Sequence, residues 1–263
     1  MKAFARSFRI AMIGLALGIG LAGAAAASIV ELRQYKINHG QRDAFVALFD
    51  REFVEPQEAD GMRIVGQFRD LDDPDRFVWI RSFPDMDSRA RSLNAFYFGP
   101  VWQAHRDEAN PMLFDNDNVL LLHPSSPTGD FPPAAARSAH RAPPTPHGLV
   151  VATIYYLWKA PDEDFSRFFD ETMRPAIAAA GIPVLASLAP ESAQNNFPRL
   201  PVRRGEKLFV WITRFDSEAD RAAAMRRLDA SPAWRRLAPG LADRIERAPQ
   251  VLRLEPTPRS ALR

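Results

Sequence analysis

The chain repeats itself once. The segment 77–83, FVWIRSF, returns at 209–215 as FVWITRF, an offset of 132 residues (209 − 77 = 132). Upstream, Gly61 is matched by Gly181, an offset of 120 residues (181 − 61 = 120). Two constant offsets indicate a duplication with one 12-residue insertion (132 − 120 = 12) after Gly181. Because solenoid units are roughly 20–50 residues long, a copy of about a hundred residues is instead a duplicated domain.

Each copy is predicted to carry its elements in the order β-α-β-β-α-β. Strands are predicted from alternating or apolar runs at 29–35, 62–68, 77–83, 119–123, 150–158, 182–188, 208–215 and 251–254. Amphipathic helices are predicted between the first and second strands and between the third and fourth strands of each copy. This order is ferredoxin-like. Because the apolar face of each sheet needs a cover, we expect an α+β fold of tandem ferredoxin-like repeats packed as a pseudo-dimeric α+β barrel.

Four segments are therefore predicted along the chain. They are a leader at 1–27, a first repeat at 28–123, a linker at 124–147 and a second repeat at 148–256. The linker holds seven prolines and no periodic apolar pattern. Such a segment is predicted to be extended and to bury little surface.

The leader resembles a secretory signal peptide. Lys2, Arg6 and Arg9 precede an uncharged run at 10–27, which ends in small residues and predicts cleavage near Ala27. A periplasmic or secreted protein, with no stable membrane insertion after cleavage, is therefore expected. An uncleaved anchor and a mitochondrial transit peptide remain open alternatives.

Several classes of chemistry find no support in the sequence. Without the three basic leader residues the formal charge falls from +2 to −1 (2 − 3 = −1), which argues against nucleic acid as a partner. The absence of cysteine excludes disulfides, thiolate metal sites and cysteine nucleophiles. The histidines lack metal-ligand spacing, so no metal is expected. No glycine-rich phosphate loop and no G-x-S-x-G nucleophile turn occurs.

One helical constellation points to a site. Trp102, His105 and Arg106 stand at i, i+3 and i+4 and share one side of a predicted helix. An imidazole beside an indole could bind haem iron or move a proton, and Arg106 could hold a carboxylate by a bidentate contact. His105 and Arg106 are therefore catalytic candidates, and all three residues are ligand-binding candidates.

A structural interpretation competes with that one. Trp102 matches Trp234 at the offset of 132 (234 − 102 = 132), and both could be core residues. The second copy replaces the polar pair by Leu237 and Ala238. Polar groups kept in one copy are expected if only that copy has a pocket. They are equally expected if these positions lie on the surface and have diverged by neutral drift.

Polar residues on the first two strands complete the candidate set. Arg33, Tyr35 and Gln67 lie on strands whose successive side chains point to opposite faces. They could line a ligand pocket, or they could be ordinary polar residues of the strands.

Four segments of the first repeat together resemble the NIPSNAP domain family: ELRQY at 31–35, FVEPQ at 53–57, GQFRD at 66–70 and GPVWQAHR at 99–106. The resemblance covers 28–123 and is weaker over 149–255. It implies a dimeric α+β barrel without established catalysis. Its superfamily relatives include small monooxygenases and haem-degrading enzymes, whose pockets lie between helix and sheet.

Two functions follow from the residues and the resemblance together. The first is a module that binds a small molecule or a protein partner, without a cofactor. The alternative is a cofactor-independent or haem-using monooxygenase or isomerase, with His105 and Arg106 in the pocket and Trp102 as its wall. Whether the tandem chain forms a homodimer stays open.

Overall fold

The computed structural model describes residues 28–133, 137, 148–161 and 163–263, with the side chain of Glu163 left out. The predicted leader and most of the predicted linker lie outside the described residues.

The first repeat has the predicted element order with one extra short strand. Its strands are β1 (Ile29–Ile37), β2 (Arg63–Asp70), β3 (Arg76–Phe83), β4 (Leu113–Asp115) and β5 (Val119–Pro124). Its helices are α1 (Arg42–Leu48), α2 (Val54–Ala59), α3 (Met86–Phe98) and α4 (Pro100–Ala109). A π-helical turn at Phe49–Phe53 joins α1 to α2, and a 3-10 turn at Asn110–Met112 follows α4.

The second repeat follows the same plan. Its strands are β6 (Leu149–Leu157), β7 (Ala186–Pro190), β8 (Leu208–Phe215) and β9 (Ile245–Pro256). Its helices are α5 (Glu163–Phe168), α6 (Arg174–Ala179), α7 (Glu218–Ala230) and α8 (Pro232–Ala242). A π-helical turn at Phe169–Met173 joins α5 to α6.

The two repeats share local details that confirm the duplication. Both π turns begin on phenylalanine, at Phe49 and Phe169, with the offset of 120 (169 − 49 = 120). Gly61 and Gly181 both adopt positive φ angles, 90° and 78°, a backbone conformation that favours glycine. The loop 191–207 has 17 residues against five in 71–75, which accounts for the 12-residue insertion (17 − 5 = 12).

The strands close into one barrel. The order is β3-β2-β9-β6-β8-β7-β5-β1-β4, and β1 also pairs with β3, so all strands except β4 form a ring. The second strand of each repeat pairs with the last strand of the other, as β2 with β9 and β7 with β5. The predicted fold class, a pseudo-dimeric α+β barrel, is confirmed.

The barrel interior is apolar, and the helices cover its outer face. Val30 and Leu32 of β1 belong to the buried cluster that the strands of both repeats share. Tyr35 packs instead into a separate cluster with the helices of the first repeat, and those of the second repeat form a third. The alternation of a strand therefore turns Glu31, Arg33 and Tyr35 toward the helix layer.

The start of the predicted linker is packed. Phe131, which is 5% exposed, lies in the apolar cluster inside the barrel. The backbone N–H of Ser125 donates to the carbonyl of Ser187 at 2.8 Å. Phe131 and the backbone hydrogen bond of Ser125 therefore both hold 124–133 in place, which the proline content does not predict.

The last strand is broken in one repeat only. At the offset of 132, β9 corresponds to β4 and β5 together (245 − 113 = 132), but 116–118 separates the latter two. This break, at Asn-Asp-Asn, lies beside the site described next.

Candidate functional site

A cavity of about 380 Å³ lies between the sheet and the helices of the first repeat. Half of its lining residues are aromatic: Tyr35, Phe45, Phe49, Phe53, Trp79, Phe96, Tyr97, Trp102 and Phe197. Polar residues that also line it are Gln57, Arg106, Asp107, Asn110, Asn116 and Arg199. A concave space that combines aromatic walls with several polar groups is compatible with a small-molecule site.

The second repeat contributes part of this wall through its insertion. Phe197 is buried against Tyr97, with ring centroids 5.7 Å apart. Leu200 and Arg199 line the cavity as well. The Nδ2 of Asn196 donates to the carbonyl of Met86 at 2.6 Å, so the insertion is attached to the start of α3.

A buried cluster of charges lies behind the cavity wall. The carboxylate of Glu31 contacts three guanidinium groups, and all four side chains are 0% exposed. Its Oε2 accepts from Arg33 Nη1 at 2.6 Å and from Arg81 Nε at 2.7 Å. Its Oε1 accepts from Arg89 Nε at 2.7 Å. The four side chains carry a net charge of +2 (3 − 1 = 2).

Some of the other guanidinium nitrogens in the cluster donate hydrogen bonds to uncharged side chains. Arg81 Nη1 donates to Gln57 Oε1 at 3.0 Å. Arg89 Nη1 donates to Asn195 Oδ1 at 3.0 Å and to Asn196 Oδ1 at 2.8 Å, which joins the cluster to the insertion. Within the described residues, the buried Nη2 of Arg33 has no hydrogen-bond partner.

The cluster shifts the ionisation of its members. Burial alone would raise the pKa of Glu31, but the positive charges of Arg81, Arg33 and Arg89 outweigh it and hold the pKa well below its usual range. Burial raises the pKa of Tyr35, and the neighbouring Arg33 opposes that rise only in part. Glu31 therefore stays ionised and Tyr35 stays protonated near neutral pH.

Tyr35 connects the cluster to the cavity. Its ring lines the cavity, while its hydroxyl oxygen accepts from Arg33 Nε at 2.9 Å. Guanidinium groups also stack behind the wall, with Arg81 4.8 Å from the ring centroid of Trp79. These cation–π contacts place positive charge directly behind the aromatic surface.

The second repeat lacks this cluster. Glu31 and Arg33 correspond to Val151 and Thr153 at the offset of 120, and Arg81 corresponds to Thr213 at the offset of 132. Arg89 corresponds to Arg221, which pairs with Glu218 instead. Since the folds match, the buried cluster is a property of the first repeat and not of the architecture.

The structure brings three of the six candidate residues to the cavity. Tyr35, Trp102 and Arg106 line it. Arg33 lies directly behind Tyr35, within the charge cluster. His105 and Gln67 lie elsewhere.

His105 lies beside two acidic side chains. Its Nε2 lies 3.4 Å from Glu52 Oε2, and its Nδ1 lies 3.8 Å from Glu108 Oε2. It is not among the residues that line the cavity, and its catalytic role stays a prediction. The residues present therefore do not fit a haem held by His105 in this cavity.

Gln67 belongs to a separate buried contact with the C-terminal tail. Its Nε2 donates to Asp50 Oδ1 at 2.9 Å, and Thr257 Oγ1 donates to the same oxygen at 3.0 Å. Gln67 is not among the residues that line the cavity with Tyr35, and its ligand-binding role stays a prediction. Gln67 instead helps to fix the chain end beyond the predicted second repeat.

Sequence reasoning missed Glu31, Arg81 and Arg89, and it did not predict that the insertion contacts the cavity. One signal was available, because Arg81 interrupts an apolar strand at the position where the second copy has Thr213. A charged residue at a buried strand position requires a partner, and Glu31 meets that requirement.

Trp102 and Trp234 are partly buried, and each packs against the core cluster of its own repeat. If both were fully buried, alanine would cost about 3–5 kcal/mol at each position. Because both are partly exposed, we expect Trp102→Ala and Trp234→Ala each to lower the free energy of unfolding by about 1.5–3 kcal/mol. Denaturant unfolding measures both losses. A loss below about 0.5 kcal/mol at one position alone would show that the two tryptophans are not equivalent.

The described residues contain no helix long and apolar enough to cross a bilayer. They also contain no group of three or more histidine, aspartate or glutamate side chains suited to a metal ion.

Two solved structures share the fold of this chain. A candidate monooxygenase from Lactobacillus acidophilus matches it with a TM-score of 0.56 and 12% identity, over 87% of this chain and 93% of that one. A candidate monooxygenase from Fusobacterium nucleatum matches with a TM-score of 0.59 and 8% identity, over 89% and 94%.

A family model matches the first repeat. The NIPSNAP model covers residues 30–127 of this chain. A NIPSNAP-like domain protein from Burkholderia xenovorans is 28% identical over 41% of this chain and 93% of that one, with a TM-score of 0.37. No curated protein matches the sequence.

Proposed function

We propose that this NIPSNAP-domain protein binds a small, planar, largely apolar molecule in the cavity of its first repeat. The observation that carries the proposal is the cavity itself, about 380 Å³ in volume and walled by aromatic rings. Aromatic walls favour a flat ligand, because offset and edge-to-face ring contacts add to the burial of apolar surface.

The location of Arg106 supports an orientation for that ligand. Its side chain is 45% exposed and lines the cavity, and its Nε lies 3.5 Å from Asp107 Oδ1. A ligand with its apolar body against Trp102 would keep a polar end near Arg106. Arg106 and Trp102 are therefore ligand-binding residues in this proposal, and His105 is not.

Filling the cavity tests the proposal. Leu113 lines the cavity, whereas Ile245 holds the matching position of the second repeat. We expect native mass spectrometry of the purified protein to show a retained small-molecule mass, which Leu113→Trp abolishes and Ile245→Trp leaves in place. A variant counts as folded when its circular dichroism spectrum matches that of the parent protein. Equal retention by both folded variants would contradict a ligand in this cavity.

An enzymatic alternative is supported by one observation. Tyr35 lines the cavity with its hydroxyl held by Arg33 at 2.9 Å, an arrangement suited to donating a proton to a bound conjugated oxygen. We therefore retain a cofactor-independent monooxygenase or isomerase as the second candidate. Oxygen consumption or isomerisation of the retained ligand, lost in Tyr35→Phe, would favour it. A ligand recovered unchanged after aerobic incubation would count against it.

Location and assembly belong to the proposal as well. The leader at 1–27 supports export to the periplasm or the medium, and fractionation of the host cells tests this. A protein partner or a homodimer of the tandem chain is compatible with the fold, and light scattering distinguishes the monomer from the dimer.

A further inference from the structure

The charge balance around the cavity is strongly positive. Arg33, Arg81 and Arg89 meet one carboxylate behind the wall, and two more arginines line the cavity itself. The lining contributes one acidic group, Asp107. Five arginines therefore face two carboxylates, a net charge of +3 (5 − 2 = 3).

The buried part of this excess is expensive to maintain. Charges removed from water are costly unless paired, and the cluster retains a net charge of +2 with its four side chains 0% exposed. The buried Nη2 of Arg33 has no hydrogen-bond partner in the described chain. Among the described residues, Gln57, Asn195 and Asn196 offer only neutral oxygens to this cluster. A bound anion close to the cluster would partly neutralise its excess positive charge.

The cavity is where such an anion would lie. The guanidinium carbon of Arg33 is 5.3 Å from the ring centroid of Tyr35 and 5.5 Å from that of Trp79, and both rings line the cavity. In a poorly hydrated interior, charge acts strongly over such distances.

Tyr35 offers the donor. Its hydroxyl oxygen accepts from Arg33 Nε, and its proton has no acceptor among the described residues. A hydroxyl polarised in this way donates strongly to an oxyanion, since hydrogen bonds to charged groups exceed neutral ones in strength. Thr153 stands at the position of Arg33 in the second repeat, so Tyr155 there lacks the same support.

We infer that the ligand of the first-repeat cavity is an aromatic or conjugated carboxylate, whose negative charge is held by Tyr35 and the arginines behind it. This inference rests on the proposed function, because it names the chemical class that the proposed cavity would accept.

A matched pair of probes tests the inference. Isothermal titration calorimetry of the purified protein compares 2-naphthoate with 2-naphthamide, which share one ring system and differ in charge. We expect 2-naphthoate to bind at least about tenfold more tightly. Tyr35→Phe and Arg33→Thr should each reduce that preference by about tenfold. Tyr155→Phe, the matched control in the second repeat, should leave it unchanged.

Arg33→Thr introduces the residue that the second repeat carries at the matching position, Thr153. Tyr35→Phe keeps the aromatic ring and removes only the hydroxyl. If one of the two variants does not fold, the other still tests the inference. Equal affinity of the parent protein for both probes would overturn the carboxylate inference while leaving the proposed function in place. Binding of neither probe would overturn both. An equal loss of preference in Tyr155→Phe would overturn the role of Tyr35.

Discussion

Replacing Glu31 by glutamine is expected to lower the free energy of unfolding by about 3–5 kcal/mol, the usual cost of removing one partner of a buried ion pair. The substitution preserves shape and removes the only carboxylate that contacts Arg33, Arg81 and Arg89 within the described chain. Three guanidinium groups would then lie buried without a counter-charge. Urea unfolding at neutral pH measures the loss.

The same carboxylate makes stability depend on acid. The pKa of Glu31 is held well below its ordinary value of 4.5 in the folded protein, so its contribution is complete above that value. The contribution is lost progressively as the pH falls below 4.5, because the unfolded chain binds the proton first. In Glu31→Gln this part of the acid sensitivity should be absent.

Glu246, which is exposed, provides the control. Glu246→Gln should change the free energy of unfolding by less than about 0.5 kcal/mol and keep the acid sensitivity of the parent protein. A Glu31→Gln protein as stable as Glu246→Gln would show that the arginines do not depend on Glu31.

Alanine at either π-turn phenylalanine is expected to cost about 3–5 kcal/mol, as large-to-small changes of buried aromatic residues do. Phe169 is fully buried, and its ring centroid lies 4.8 Å from that of Phe209. Phe49 is 3% exposed and 4.9 Å from Trp79 by the same measure, but it also borders the cavity. We therefore expect Phe49→Ala to fall at the lower end of the range.

Denaturant unfolding compares these two variants with Phe114→Ala, whose side chain is 76% exposed. That control should lose less than about 0.5 kcal/mol. A loss at Phe49 no larger than that at Phe114 would mean that the ring is not packed as described.

The repeat made the architecture predictable from the sequence. Both copies have the same element order, and the apolar face of each sheet must be covered. The sheet of the other copy is the nearest surface that can cover it. Even the length of the insertion was available from two offsets. The packing of the insertion against the first repeat was not, because only tertiary structure brings Phe197 to Tyr97.

The candidate site was predictable in part. Helical spacing placed Trp102, His105 and Arg106 together, but successive residues turn by about 100°, so His105 and Arg106 diverge on either side of Trp102. Arg106 reaches the cavity and His105 reaches Glu52. The charge cluster escaped prediction because Glu31 and Arg89 are far apart in sequence and are joined only by the fold.

The position of Phe197 bears on how the molecule can be divided. The cavity belongs to one copy, while the aromatic ring that covers part of it comes from an insertion carried by the other. A homodimer assembled from two first repeats would have two cavities and no Phe197 for either. Separating the two repeats at the linker would therefore remove Phe197 from the wall of the first-repeat cavity.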